Sequence, residues 1–172
     1  MATILFVRHL HMEAFMDWRI GVCIGSVGFL GCAQTNWPSD IRTLAPEASA
    51  SPVAAVVPAN PAVLPPKPDV PPERAKWSGT WSGFACQGRV CDTKLVVERV
   101  TNDDATIIYA FASGSVNQYA TRVQASLSGG ELRGVLMNGA TITYRMRETG
   151  DVEFLYYRSD SDQVWGVLSR GR

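Results

Sequence analysis

The sequence predicts an all-β domain, a small antiparallel eight-stranded up-and-down barrel, preceded by a disordered proline-rich linker. Three observations carry this expectation. Residues 77–172 contain no proline and eleven glycines, whereas all ten prolines of the 172-residue chain fall between Pro38 and Pro72. Within 77–172, apolar and polar residues alternate with period two in one short run after another. The breaks between runs are too short for a crossover helix, so successive strands must pair antiparallel. The stretch is long enough for one hydrophobic core and too short for two.

Taken in order, the chain opens with residues 1–18, which include His9, His11, Glu13 and Asp17, followed by Arg19 and an apolar run from Ile20 to Leu30. A run of this length matches the apolar region of a signal peptide and falls short of the roughly 20 residues that span a bilayer. Met12 and Met16 are alternative starts, the latter placing Met-Asp-Trp-Arg directly before the run. The run closes on Phe29-Leu30-Gly31-Cys32, which resembles the lipobox of bacterial lipoproteins. That resemblance implies a signal peptide over 1–31, cleavage before Cys32 and lipidation of the Cys32 thiol, hence attachment to a membrane through an N-terminal lipid. Ala33 in place of an aspartate resembles lipoproteins sorted to the outer membrane of a Gram-negative envelope, with the head in the periplasm. The other reading of the run is a buried helix with an incidental cysteine, which its glycines disfavour.

Residues 32–76 then read as the lipidated cysteine and a Pro/Ala-rich tether, with too few large apolar residues to order itself. Extended as polyproline II at about 3.1 Å per residue, residues 33–76 reach at most on the order of 130 Å. Pro65-Pro66-Lys67-Pro68 also suits a docking ligand for another protein, beside its plainer reading as a spacer.

From Trp77 onward, strands are expected near 77–85, 91–100, 104–112, 119–127, 130–137, 139–147, 151–158 and 162–169. Asn102-Asp103, Ser113-Gly114, Gly129-Gly130, Asn138-Gly139, Gly150-Asp151 and the run from Ser159 to Asp162 supply the links. Alternation turns Ile107, Tyr109 and Phe111, and likewise Ile142, Tyr144 and Met146, inward; Thr106, Thr143, Arg145 and Arg147 face water. Closing the sheet removes both open edges. A two-sheet β-sandwich uses the same strands, because periodicity does not report closure. Inward aromatic candidates Trp81, Tyr109, Phe111, Tyr144, Phe154, Tyr156 and Trp165 favour a filled interior, since eight strands are near the limit for holding one small ligand.

The first strand carries a second resemblance. Trp77, Gly79, Trp81 and Gly83 alternate with Ser78, Thr80, Ser82 and Phe84, and Gly79-Thr80-Trp81 resembles the G-x-W of lipocalin-like (calycin-type) barrels. The resemblance implies that Trp81 plugs one barrel end and that Arg170, after the last strand, lies over it as a cation on an aromatic face. It rests on few residues, and two core tryptophans in any small β domain read the same way.

Cys86 and Cys91 face one another across a short glycine-containing turn, within disulfide reach in an oxidising compartment, and a Cys86–Cys91 bond is expected. With no second cysteine pair and no histidine nearby, no metal site and no cofactor is expected. Both histidines precede Cys32, so a chain starting there lacks the base of Ser-His-Asp or Cys-His catalysis. The carboxylates Glu98, Glu131, Glu148, Glu153, Asp160 and Asp162 leave a carboxylate-dependent hydrolase as an alternative. Asp160-Ser161-Asp162 reads as a turn before it reads as a calcium site.

One lysine and nine arginines balance ten acidic residues over 77–172, leaving no net field for nucleic acid. Arg145 and Arg147 share a face and form either a basic spot with Arg133 or Arg158, or ordinary solvated pairs with Glu148 or Glu153. The expected function is non-enzymatic: a membrane-anchored lipoprotein whose barrel head binds a small apolar ligand or an envelope protein. In layout the chain also resembles the periplasmic protease-inhibitor barrels of Gram-negative bacteria. Its residues name neither ligand nor oligomeric state.

Overall fold

Eight strands, each followed by its antiparallel neighbour, close on themselves in a computed structural model that describes residues 35–46, 53–58, 60–86, 91–113 and 117–171. They are β1 (Gly79–Phe84), β2 (Cys91–Val100), β3 (Asp104–Ser113), β4 (Asn117–Ser128), β5 (Glu131–Val135), β6 (Thr141–Met146), β7 (Val152–Ser159) and β8 (Asp162–Arg170). The β1–β8 seam, running from Trp81↔Arg170 to Phe84↔Val167, closes the barrel and settles the choice against a sandwich. The expected signal peptide over 1–31 and the expected lipidation site Cys32 lie outside the described residues.

The period-two pattern works as expected along most strands. Ile107, Tyr109, Ile142, Tyr144, Val152 and Phe154 share one core with Leu95, Val97, Leu132 and Leu168. Gly129 and Gly130, both at positive φ, make the two-residue β4–β5 turn, a conformation that glycine adopts without a Cβ clash. β1 starts two residues later than expected: Trp77 lies in a turn after a single helical turn, α1 (Pro72–Ala75), and remains buried in the core.

Trp165 departs from the expectation. The residues of β8 that pack inward are Val164 and Leu168, so Trp165 between them belongs to the outer face, paired with Leu155. The alternate inward position is Gly166, where a Cβ would stand 1.7 Å from the Phe84 carbonyl oxygen. Close approach of β1 demands glycine there, and the indole takes the other face.

The described parts of the proline-rich segment also differ from a free tether. They add no strand, in keeping with their composition, but they lie on the barrel. Ala55 packs on Ala110 and Ala112, donates its N–H to Asp92 and accepts from Lys94 Nζ. Further along, Leu64 N–H donates to the carbonyl of Glu98 at 2.7 Å. That carbonyl is free because the β2–β3 register slips between Val97 and Arg99, a bulge that leaves Glu98 unpaired in the ladder. Composition counts apolar residues within a segment; it does not see that the barrel wall supplies the missing partners.

Residues 35–46 cover a second wall, which corrects the expectation that Thr143, Arg145 and Arg147 face water. Glu131, Arg145 and Glu153 stand side by side across β5, β6 and β7. Glu153 is buried and accepts from Arg145 Nε at 2.7 Å and Arg147 Nε at 3.1 Å. Arg147 turns its remaining nitrogens to the carbonyls of Ile41 and Leu44. The Arg145 guanidinium lies 4.4 Å from the ring centre of Trp37, whose indole N–H donates to Glu131 at 2.7 Å. Arginines on the outer wall thus neutralise a buried carboxylate and clamp the preceding segment.

Candidate functional site

The two ends of the barrel differ. At one end Trp81 is buried, donates its indole N–H to the Gly150 carbonyl and packs 6.4 Å from Trp77. The Arg170 guanidinium sits 5.0 Å from the Trp81 ring centre and donates to the carbonyls of Ser78 and Lys76. Gly79, at φ 140°, leaves room for that guanidinium, since a Cβ would meet it at 3.0 Å. Trp81 and Arg170 therefore meet as expected and seal this end.

The other end, bounded by the β5–β6 and β7–β8 turns, opens into a cup of about 460 Å³. Its lining is Tyr109, Phe111, Tyr119, Leu136, Tyr156 and Val164, with Gln118, Asn138 and Asp162 supplying polar groups. The lower interior is filled, as expected, by a continuous aromatic stack. Phe111 stacks on Tyr109, Tyr109 on Phe154 at 5.6 Å, and Tyr144 leans on Phe154 at 5.2 Å. The upper interior is not filled, because β4 and β3 run past the end of the short β5.

The chemistry of the cup is that of phenols. Burial, reinforced by neighbouring Tyr156 and Tyr119, raises the Tyr109 hydroxyl well above the ordinary phenol range, and burial does the same for Tyr144. Both stay protonated at any physiological pH and act as donors, not as bases. Tyr156 receives a hydrogen bond from the Asn138 amide at 3.2 Å, which orients its hydroxyl at the rim. Two interior hydroxyls, Thr93 and Tyr144, have no hydrogen-bond partner among the described residues.

The acidic candidates are dispersed. Glu98 pairs with Arg122, Glu153 with Arg145 and Arg147, and Glu131 holds Trp37 and Thr35. Asp160 accepts from the Tyr157 hydroxyl, and Asp162 pairs with Arg158. Of the six, Asp162 lines the cup. Cys86 and Cys91 form their disulfide, Cα atoms 5.5 Å apart, at the β1–β2 link on the open-end side.

Tyr119, Leu136, Asn138 and Val164 were not singled out from sequence. Alternation suits Tyr119 to the inner face, whereas the inward expectation for Trp165 put Val164 outside, and only strand offsets reveal which inner residues stand above the filled layer. Comparison with protein-family models, curated proteins and solved structures finds no match to this chain.

Proposed function

We propose that this chain is an envelope lipoprotein, anchored through Cys32, whose barrel head is a non-catalytic binding module for a small apolar, ring-bearing ligand. The observation that carries the reading is the asymmetry of the barrel: one end is sealed by Trp81 and Arg170, the other holds an aromatic cup of about 460 Å³. Pockets of this volume with few polar groups suit small ligands. Tyr109, Phe111, Tyr119 and Tyr156 offer ring faces, and the tyrosine hydroxyls, with Asn138 and Gln118, offer hydrogen bonds to polar groups on the ligand. The buried Tyr109 phenol, held protonated, offers a hydrogen bond and no general base. Thr35, bonded to Glu131, follows Cys32 by three residues.

Two measurements test the reading. Titration of the chain with the uncharged dye N-phenyl-1-naphthylamine should give saturable fluorescence, and Val164→Phe, which fills the cup, should weaken it at least tenfold. Equal binding by the filled variant overturns the site assignment. Mass spectrometry of the membrane-extracted protein should show an N-terminus at a lipid-modified Cys32; an unmodified Cys32 within a longer chain overturns the anchor.

A further inference from the structure

The closed barrel contains one unzipped stretch. β3 pairs with β4 over its whole length, from Asp104↔Ser126 to Ser113↔Asn117, but β5 pairs with β4 only from Ala125↔Gly134 to Ser128↔Glu131. The short β5 ends because residues 136–140 fold back on themselves, Leu136 N–H donating to Ala140 and Gly139 N–H to Leu136. Residues 117–124 of β4 thus have no neighbour on the β5 side among the described residues.

The direction of each free group follows from one bond. Leu127 N–H donates to Asp103, on the β3 side. By alternation the main-chain groups of Val123, Thr121 and Tyr119 also point to β3, and those of Gln118, Ala120, Arg122 and Gln124 point into the gap. All four are exposed. A bare edge is normally guarded by a charge, a proline or a bulge. None of these protects this one: its single charged residue, Arg122, is committed to Glu98, with Nε to Oε2 at 2.6 Å.

We infer that this edge receives an extended peptide by strand addition, the peptide completing the sheet between β4 and the β5–β6 turn. Only an extended main chain presents donors and acceptors at the two-residue spacing of these four positions. On the inner face the added strand lies beside Tyr119, Thr121 and Val123, next to the aromatic cup that Gln118, Tyr119, Leu136 and Asn138 line. On the outer face it lies beside Gln118, Ala120, Arg122 and Gln124. The fitting partner therefore alternates apolar side chains, inward, with polar ones, outward. A second copy fits less well. The free edge is a ribbon about 26 Å long and 10 Å wide, and two convex barrels touching along it bury on the order of 500 Å², below the roughly 1,200 Å² of a stable dimer. A peptide gains the cup as well. The inference does not require that the cup hold a small molecule.

The test uses an acetylated octapeptide alternating phenylalanine and threonine, added to the full chain and followed by amide hydrogen exchange. At saturation the amides of Gln118, Ala120, Arg122 and Gln124 should slow at least tenfold, while those of Tyr119, Thr121 and Val123, already bonded to β3, should not change. Methylating alternate peptide nitrogens should weaken binding at least tenfold. Ala120→Pro, which removes one outward N–H and keeps the β3 ladder, should do the same. Slowing at Leu136 and Asn138 with unchanged edge amides means cup occupancy alone and overturns the inference, as does binding indifferent to methylation. Edge amides already protected without peptide, in proportion to protein concentration and with a dimer mass, overturn it in favour of self-pairing.

Discussion

Replacing Gly166 by alanine should break the barrel at its seam. The added Cβ would lie 1.7 Å from the Phe84 carbonyl oxygen, 2.7 Å from its carbon and 2.8 Å from the Ala85 Cα. All three are backbone atoms, so no side chain can swing aside, and β1 must retreat by more than an ångström. The seam pairs only four residues on each strand. Losing two of its hydrogen bonds costs about 2 kcal/mol, and the overpacking adds about 1–3 kcal/mol. Alanine recovers about 0.4–1 kcal/mol by restricting the unfolded chain. The net expectation is a loss of about 3 kcal/mol, which for a domain of this size lowers the melting temperature by more than about 12 °C. Gly134→Ala is the matched comparison. There the Cβ meets Val123 Cγ1 at 2.9 Å and Ile142 Cγ1 at 3.3 Å, both side-chain atoms that can yield, and a loss near 1 kcal/mol is expected. Thermal and urea unfolding of the two variants decide the matter. A Gly166→Ala protein melting within 3 °C of the parent, or below Gly134→Ala in cost, refutes the closed-seam reasoning.

Three further outcomes follow from the same contacts. Glu153→Gln leaves Arg145 and Arg147 on the outer wall without their buried counter-charge; a loss of about 3 kcal/mol is expected in urea unfolding, with faster amide exchange at Leu44. The Arg122 hydrogen bond holds the Glu98 carboxyl below the usual range against the opposing effect of burial. A depressed carboxylate stabilises the fold above its unfolded value and loses that contribution as pH falls through the folded one. Exchange at Leu64 should therefore accelerate only in acid below the ordinary glutamate titration, and Arg122→Gln should move that onset to higher pH. Reducing Cys86–Cys91, which are five positions apart, should cost about 2 kcal/mol by loop-entropy reasoning, readable as a lowered urea midpoint with an unchanged slope.

Much of the fold was legible because a half-buried strand writes its own two faces into the residues. All eight strands begin within two residues of where alternation and turn chemistry place them, and Asn138-Gly139 and Gly129-Gly130 fall at their turns. The plug was legible from Gly79-Thr80-Trp81 with Arg170, and the disulfide from two cysteines about one hairpin. Trp165 was misplaced because its orientation depends on Gly166 yielding to β1, a contact between residues some eighty positions apart. The docking of the described parts of the proline-rich segment was not legible for a related reason: Ala55 packs on Ala110 and Ala112 of β3, and Ile41 is fully buried.

By itself, then, the sequence determined what is local: eight alternating strands, their turns and one cysteine pair. Tertiary structure decided what depends on relative strand length. A twelve-residue β4 beside a five-residue β5 leaves both an aromatic cup and a bare edge, and neither exists until the sheet has closed. Hydrophobic alternation is a property of each strand alone, whereas a gap is a difference between two neighbours.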